Sequence, residues 1–240
     1  SNVQQMFQIA VDTATSAMNN HRKTSGCYMT LAPTIIEKLA RARSDLRMGV
    51  PIVLISGGQG ALVLACETLD GARLADVRAI GAPKVAITAW RAETLKVRCY
   101  DGDIARVELP DTADVAWIVA LADPANDPLN AQRDGDPAFA RAAIVLAKQA
   151  RLLPAVLIVD LPDAQAFAAR HNLTLIDLAQ ATPVFGNTAP LHSVISARLS
   201  LEVSKAGRLH VFRPDDGGEE HYAVEIGRPD RNAPVLARLH

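Results

Sequence analysis

Apolar residues in the first stretch, "VQQMFQIAVDTATSAM" (3–18), fall at Val3, Met6, Phe7, Ala10 and Val11, the spacing of one helix face. "NNHRKTSG" then breaks the pattern with asparagine, serine and glycine. A second helix is predicted through "PTIIEKLARARSDLRMG", with Ile35, Ile36, Leu39, Ala42 and Leu46 as its buried stripe. Pro33 suits its first turn and Gly49 its C-terminal cap. Beyond Gly49 the pattern alternates. "PIVLI" reads as a strand, "SGGQG" as a turn, and "ALVLACETL" as a second strand or a strand-to-helix passage. "KVAITA" is a short buried strand, "WRAETLKV" a helix, and "VAWIVALAD" another apolar strand. "DPAFARAAIVLAKQARLL" is a long helix with Asp136 and Pro137 at its start. "PAVLIVDL" is a strand, "PDAQAFAARHN" a helix opened by Pro162, and "LTLIDL" a last strand. Strands alternating with helices define an α/β layered domain.

Near "ATPVFGNTAPLHS" the pattern changes. "VISARLSLEV", "RLHVF", "HYAVEI" and "PVLARLH" are strand-like runs divided by turns, and "RPDDGGEEH" is a hairpin loop whose acidic residues keep its tip solvated. So short an all-β segment buries little surface by itself, which marks it as the opening of a second domain cut short. The expected division is an N-terminal helical extension over 1–30, an α/β domain over 31–186 and the β part of another domain over 187–240.

Composition adds exclusions rather than a function. The 240 residues are 49% hydrophobic and 21% charged, as in a water-soluble globular chain, and only 4% are aromatic, so the core is aliphatic. A net charge of −1 gives no electrostatic case for nucleic acid or an anionic membrane as partner. No apolar run reaches the roughly 18 residues of a membrane span. "SNVQQMFQ" has neither the basic start nor the apolar stretch of a secretory signal, and its lack of an initiator methionine points to processing or to a cloning scar. Cys27, Cys66 and Cys99 are scattered, without the close spacing of a zinc or redox pair, and read as buried free thiols of a cytoplasmic protein.

Candidate chemistry is sparse. Ser56 to Gly60, "SGGQG", follows a strand as a phosphate cradle would, but lacks the Lys-Ser/Thr of a P-loop and reads as a tight turn. "DGDIARVELPD" and "ADPANDP" are rich in aspartate without calcium-loop spacing, and read as solvated turns. Glu219, Glu220 and His221 adjoin, but period-two alternation sends Glu220 and His221 to opposite faces of a hairpin, which argues against a shared metal. His21, His171, His192 and His210 carry no signature.

The tail from "ISARLSLEV" to "HYAVEIGRP" and "PVLARLH" resembles the amino-terminal strands of GTP cyclohydrolase II of riboflavin biosynthesis. The resemblance implies that Arg238, Leu239 and His240 begin the GTP-binding segment, with the zinc-binding cysteines following immediately. The preceding residues resemble 3,4-dihydroxy-2-butanone-4-phosphate synthase, fused ahead of the cyclohydrolase in many bacteria. The order "IEKLARARSDLRMG", "VPIVLI", "ALVLACETL", "IGAPKVAITAWRAETLKV", "AAIVLAKQARLLPAVLIVDL" and "AFAARHNLTLIDLAQA" carries that likeness. The helix over 3–18 has no counterpart in it.

Departures from the synthase pattern carry as much weight. Where the synthase has an acidic magnesium- and sugar-phosphate-binding loop, this chain has "SGGQG"; where it has Gly-His-Thr-Glu, this chain has "PAFARAA". Magnesium needs hard oxygen ligands, which those side chains do not supply. The resemblance therefore implies a synthase-like fold without synthase chemistry, akin to the degenerate domain of some alphaproteobacterial cyclohydrolases. It implies GTP as ligand of the intact parent, zinc as that parent's metal rather than this chain's, and a homodimer. The alternatives are a non-catalytic dimerisation or regulatory module, a diverged cyclohydrolase-like protein, and residual binding of a phosphorylated sugar by the amides of "SGGQG".

Overall fold

A computed structural model describes residues 31–119, 130–133, 135–186, 189–202, 204–230 and 232–239. The amphipathic stretch over 3–18, Cys27, His21 and "ADPANDP" lie outside the described residues. The chain divides into two compact units, one over Pro33–Asn187 and one containing the residues from Thr188 onward.

The first unit begins at helix α1 (Ile35–Arg47), and its start is set by Thr34 rather than Pro33. Thr34 is extended, its Oγ1 accepts from Glu37 N at 3.3 Å, and the Glu37 carboxylate accepts from Thr34 N at 2.7 Å. This reciprocal pair satisfies two N–H groups that the first turn leaves without partners. Leu39, Ala42 and Leu46 are buried, whereas Ile36 is 45% exposed, against expectation. One residue on from Ile35 turns the side chain about 100° away from the buried stripe. Gly49 ends the helix at φ +73°, and a Cβ there would meet Thr68 O at 2.7 Å.

A six-stranded sheet follows, in the order β4-β3-β5-β2-β1-β6. Its strands are β1 (Ile52–Ser56), β2 (Gln59–Ala65), β3 (Lys84–Thr88), β4 (Ile104–Glu108), β5 (Ala155–Asp160) and β6 (Thr174–Asp177). Neighbours run antiparallel except β1 and β6. Both faces carry helices, and pleating divides the apolar side chains between them. Ile52 and Leu54 pack with α1, α5 (Ala138–Gln149) and α7 (Leu178–Ala181). Val53 packs with α2 (Gly71–Ile80), α3 (Ala89–Thr94), α4 (Val115–Val119) and α6 (Ala164–His171). The mixed α/β class expected for this part of the chain is the one observed.

Several elements differ from expectation. The run "VAWIV" is a helix, α4, where a strand was expected. An unbroken apolar run suits either form, and Asp114, whose carboxylate accepts from Trp117 N at 2.7 Å, favours the helical start. "GARLADVRAI" is helix α2, started by Asp70 accepting from Arg73 N at 2.8 Å. "DGDIARVELPD" is not merely a solvated turn, because it contains the edge strand β4. The late helix α5 is shorter than its apolar pattern, with Asp136 accepting from Ala138 N at 2.9 Å just ahead of it.

The second unit is a three-stranded antiparallel sheet: β7 (Leu191–Leu201), β8 (Ser204–Pro214) and β9 (His221–Glu225). "RPDDGGEEH" is its hairpin loop, with Gly217 at φ +70° and Asp216 accepting from Gly218 N at 3.0 Å. "PVLARLH" forms no strand over its described residues, contrary to its apolar alternation.

The β1–β2 hairpin supplies a test of two distinct glycine constraints. A Cβ on Gly60 would lie 2.1 Å from Ala164 Cβ, whereas one on Gly57 meets nothing but sits at φ +56°. Gly60→Ala should cost about 1–3 kcal/mol or more through overpacking. Gly57→Ala should cost about 1–2 kcal/mol through its left-handed backbone. Urea unfolding of both variants checks the order, and its reversal would show that α6 does not rest on β2 at Gly60.

Candidate functional site

Two places in the first unit bear on the residues expected to carry chemistry. The first is the tip of the β1–β2 hairpin. Ser56 pairs directly with Gln59, so Gly57 and Gly58 form a two-residue turn, with φ +56° and +83°. Positive φ at both central positions is the primed turn whose twist suits a hairpin. "SGGQG" is thus the tight turn expected. An open cleft of about 510 Å³ lies beside it, bordered by Ser56, Gln59, Asp163, Gln165 and Asp177. Asp177 is engaged in capping α7, accepting from Ala179 N at 2.9 Å. Asp163 holds a left-handed conformation, φ +51°, as α6 begins.

The second place is the start of α5, where the resemblance puts the synthase's Gly-His-Thr-Glu. The turn before β4 brings Asp101 and Asp103 to this point. Arg106 lies on the α5 side of β4, and its charged end is almost entirely buried against Asp101, with side-chain exposures of 8% and 9%. Its Nε donates to one Asp101 oxygen at 2.8 Å, and its Nη2 donates to the other at 3.0 Å and to Gly135 O at 2.9 Å. From the first turns of α5, Arg141 reaches back, its Nε donating to Asp103 at 2.9 Å and its Nη2 to Asp101 O at 2.8 Å. The guanidinium holds the Asp103 carboxyl below the ordinary aspartate range, and Arg141 is pushed up in turn. Phe139, from the same turn of α5, packs against the apolar core.

Both aspartates of this cluster are engaged by arginines. Each carboxylate is committed to a guanidinium, and each guanidinium is also bound to a backbone carbonyl. Among the described residues, no group of three His, Cys, Asp or Glu side chains could hold a metal ion. Cys66 is buried and its thiol is pushed up to about 12, so it supplies no thiolate near neutral pH. Cys99 is only partly buried rather than fully so, and its thiol donates to Ile104 O at 2.7 Å. Burial raises its pKa too. The described residues therefore do not fit a zinc site.

In the second unit, Glu220 accepts from Arg213 Nε at 3.1 Å and from Tyr222 OH at 3.0 Å. Both bonds lower its pKa, and Arg213 contributes more. His221 lies opposite Phe212 in the ladder. His210 lies 2.9 Å from Glu225 across β8 and β9. Arg238 and Leu239 lie in irregular chain, with Leu239 98% exposed, and His240 lies outside the described residues. The buried Arg106–Asp101 pair escaped the sequence reading, since an arginine within a strand ordinarily faces water.

No family model matches this chain. A curated relative, GTP cyclohydrolase-2 of Azospirillum brasilense, is 37% identical over 219 residues. The match takes in 83% of this chain and 56% of the relative, so the chain spans a little over half the relative's length. A match of that extent reaches into both compact units. Among solved structures, 3,4-dihydroxy-2-butanone 4-phosphate synthase in complex with two magnesium ions aligns with 98% of its own chain and 65% of this one, at 16% identity and a TM-score of 0.44. Among the described residues, no helix is long and apolar enough to cross a membrane.

Two measurements examine the charge cluster. Asp101→Asn leaves the Arg106 guanidinium buried without its counter-charge and should cost about 3–5 kcal/mol. Urea unfolding reads this, and a change below about 1 kcal/mol would mean that water reaches Arg106 freely. Asp103 has a lowered folded-state pKa, so its contribution is complete above the unfolded value and is lost as pH falls through the folded one. NMR titration of the Asp103 carboxyl in Arg141→Gln should therefore show its midpoint moving up toward the ordinary aspartate value.

Proposed function

We propose that this chain is part of a GTP cyclohydrolase II-type protein of riboflavin biosynthesis, in which the α/β unit keeps a synthase-like scaffold without its chemistry. The match to GTP cyclohydrolase-2, long enough to reach into both units, carries the proposal. The closed ion pairs at the start of α5 support the second part. A sugar phosphate with magnesium needs open carboxylate oxygens, and the oxygens here are held by Arg106 and Arg141.

In this reading, Arg238, Leu239 and His240 open the segment that receives GTP. Arg238 is an exposed cation suited to a phosphate oxygen, and the irregular backbone around it leaves the side chain free to meet a ligand. The zinc that would activate water belongs to polypeptide outside these residues, as do the thiolates that would hold it. The synthase-like unit serves as scaffold and dimerisation module in the complete protein.

Formate release from GTP in the presence of zinc tests the reading. The gene product that contains this sequence should release formate, and residues 1–240 alone should not. Arg238→Ala in the active protein should raise KM for GTP by about ten-fold or more, the loss expected for one charged hydrogen bond. A four-carbon phosphate formed from ribulose 5-phosphate and magnesium by residues 1–240 would refute the scaffold assignment.

A further inference from the structure

The three-stranded sheet has one face that is largely apolar, and several of that face's side chains are in water. Residues directly opposite in an antiparallel ladder share a face. The register sets Ile195 opposite Val211 and Val211 opposite Tyr222; in the next layer, Leu209 lies opposite Val224. These side chains form one contiguous surface, in which Ile195 is 60% exposed, Tyr222 64% and Val224 52%. On the other face Arg198 lies opposite Arg208, and Arg208 opposite Glu225, with His210 bound to Glu225 and stacked on Phe212, the one aromatic among these charged groups. That side suits water. Apolar side chains aligned in this way do not, because a sheet with one hydrophobic face is stable only when another layer covers it.

The rim narrows the choice of cover. At one end of the apolar face, Arg213 is bonded to Glu220, which also accepts from Tyr222, and His192 is bonded to Asp215. These polar groups are thus paired with one another at the rim of the sheet. An apolar polypeptide layer is the chemistry that fits.

We propose that this face is the docking surface for the part of a GTP cyclohydrolase II-type polypeptide that lies outside the match, an inference that rests on the functional reading above. The curated relative is nearly twice as long as the stretch it shares with this chain, which supplies such polypeptide within one molecule. A layer tethered to the sheet acts at high effective concentration, whereas a second copy must offset the full entropy of association. The irregular chain after β9, with Leu236 and Leu239 almost fully exposed, runs on from the edge of the same sheet and continues its apolar character.

Thiol labelling tests this. Ile195→Cys and Val224→Cys are made in residues 1–240, with cysteines at the aligned positions of the full-length Azospirillum brasilense protein, and maleimide labelling is read peptide by peptide. Labelling should be fast in the 240-residue chain and slower by about ten-fold or more in the longer protein, where local opening must precede reaction. Hydroxyl-radical footprinting of the unaltered proteins reads the same residues should a variant fail to fold. Equal labelling in both proteins overturns the proposal. Slow labelling in the 240-residue chain overturns it too, with sedimentation then showing whether a second copy covers the face. Protection is read independently of turnover. Protection without formate release would sink the functional reading alone, and formate release without protection would sink the docking surface alone.

Discussion

A guanidinium buried among apolar layers has to be met by an opposite charge and by backbone oxygens, or the fold around it fails. Arg106 is in that position, and its requirements organise one end of the α/β unit. It draws Asp101 inward and engages Gly135 O just ahead of α5. Arg141 completes the closure by clasping Asp103 and Asp101 O from the helix side. The edge strand β4, the turn before it and the start of α5 are thereby fixed together.

The opposite end of the unit depends on the absence of a side chain. Gly60 opens β2 where α6 crosses, and a Cβ on it would lie within bonding-like distance of Ala164. That closeness sits beside the two-glycine turn that joins β1 and β2. The stretches "SGGQG" and "PAFARAA" have separate physical expressions: a two-residue hairpin turn, and a helix start tied by Arg141 to the turn before β4.

Much of this was legible along the chain. The helix α1, the strands β1, β3, β5 and β6, and the meander of the second unit follow from period and punctuation, and the tight turn at Ser56–Gln59 from its glycines. Errors arose where local pattern was ambiguous. "VAWIV" has no polar alternation to separate helix from strand, and Asp114 settles it by capping. Strand β4 was hidden by its aspartates and by Arg106, whose polarity suggested solvent until burial and partner were known. "PVLARLH" alternates like a strand, yet no described neighbour pairs with it.

The sequence by itself determined the succession of an α/β part and a β part, the aliphatic core, and the lack of acidic side chains in the turn from Ser56 to Gly60. Those depend on residue type and spacing, which are one-dimensional. Only the tertiary structure decided that Arg106 is buried and answered by Asp101, that Arg141 closes over Asp103, and that the apolar side of the β7–β9 sheet faces water. Each of these is a relation between residues distant along the chain or between a side chain and solvent. No local pattern encodes it, because charge pairing and burial are properties of the packed layers rather than of any one strand.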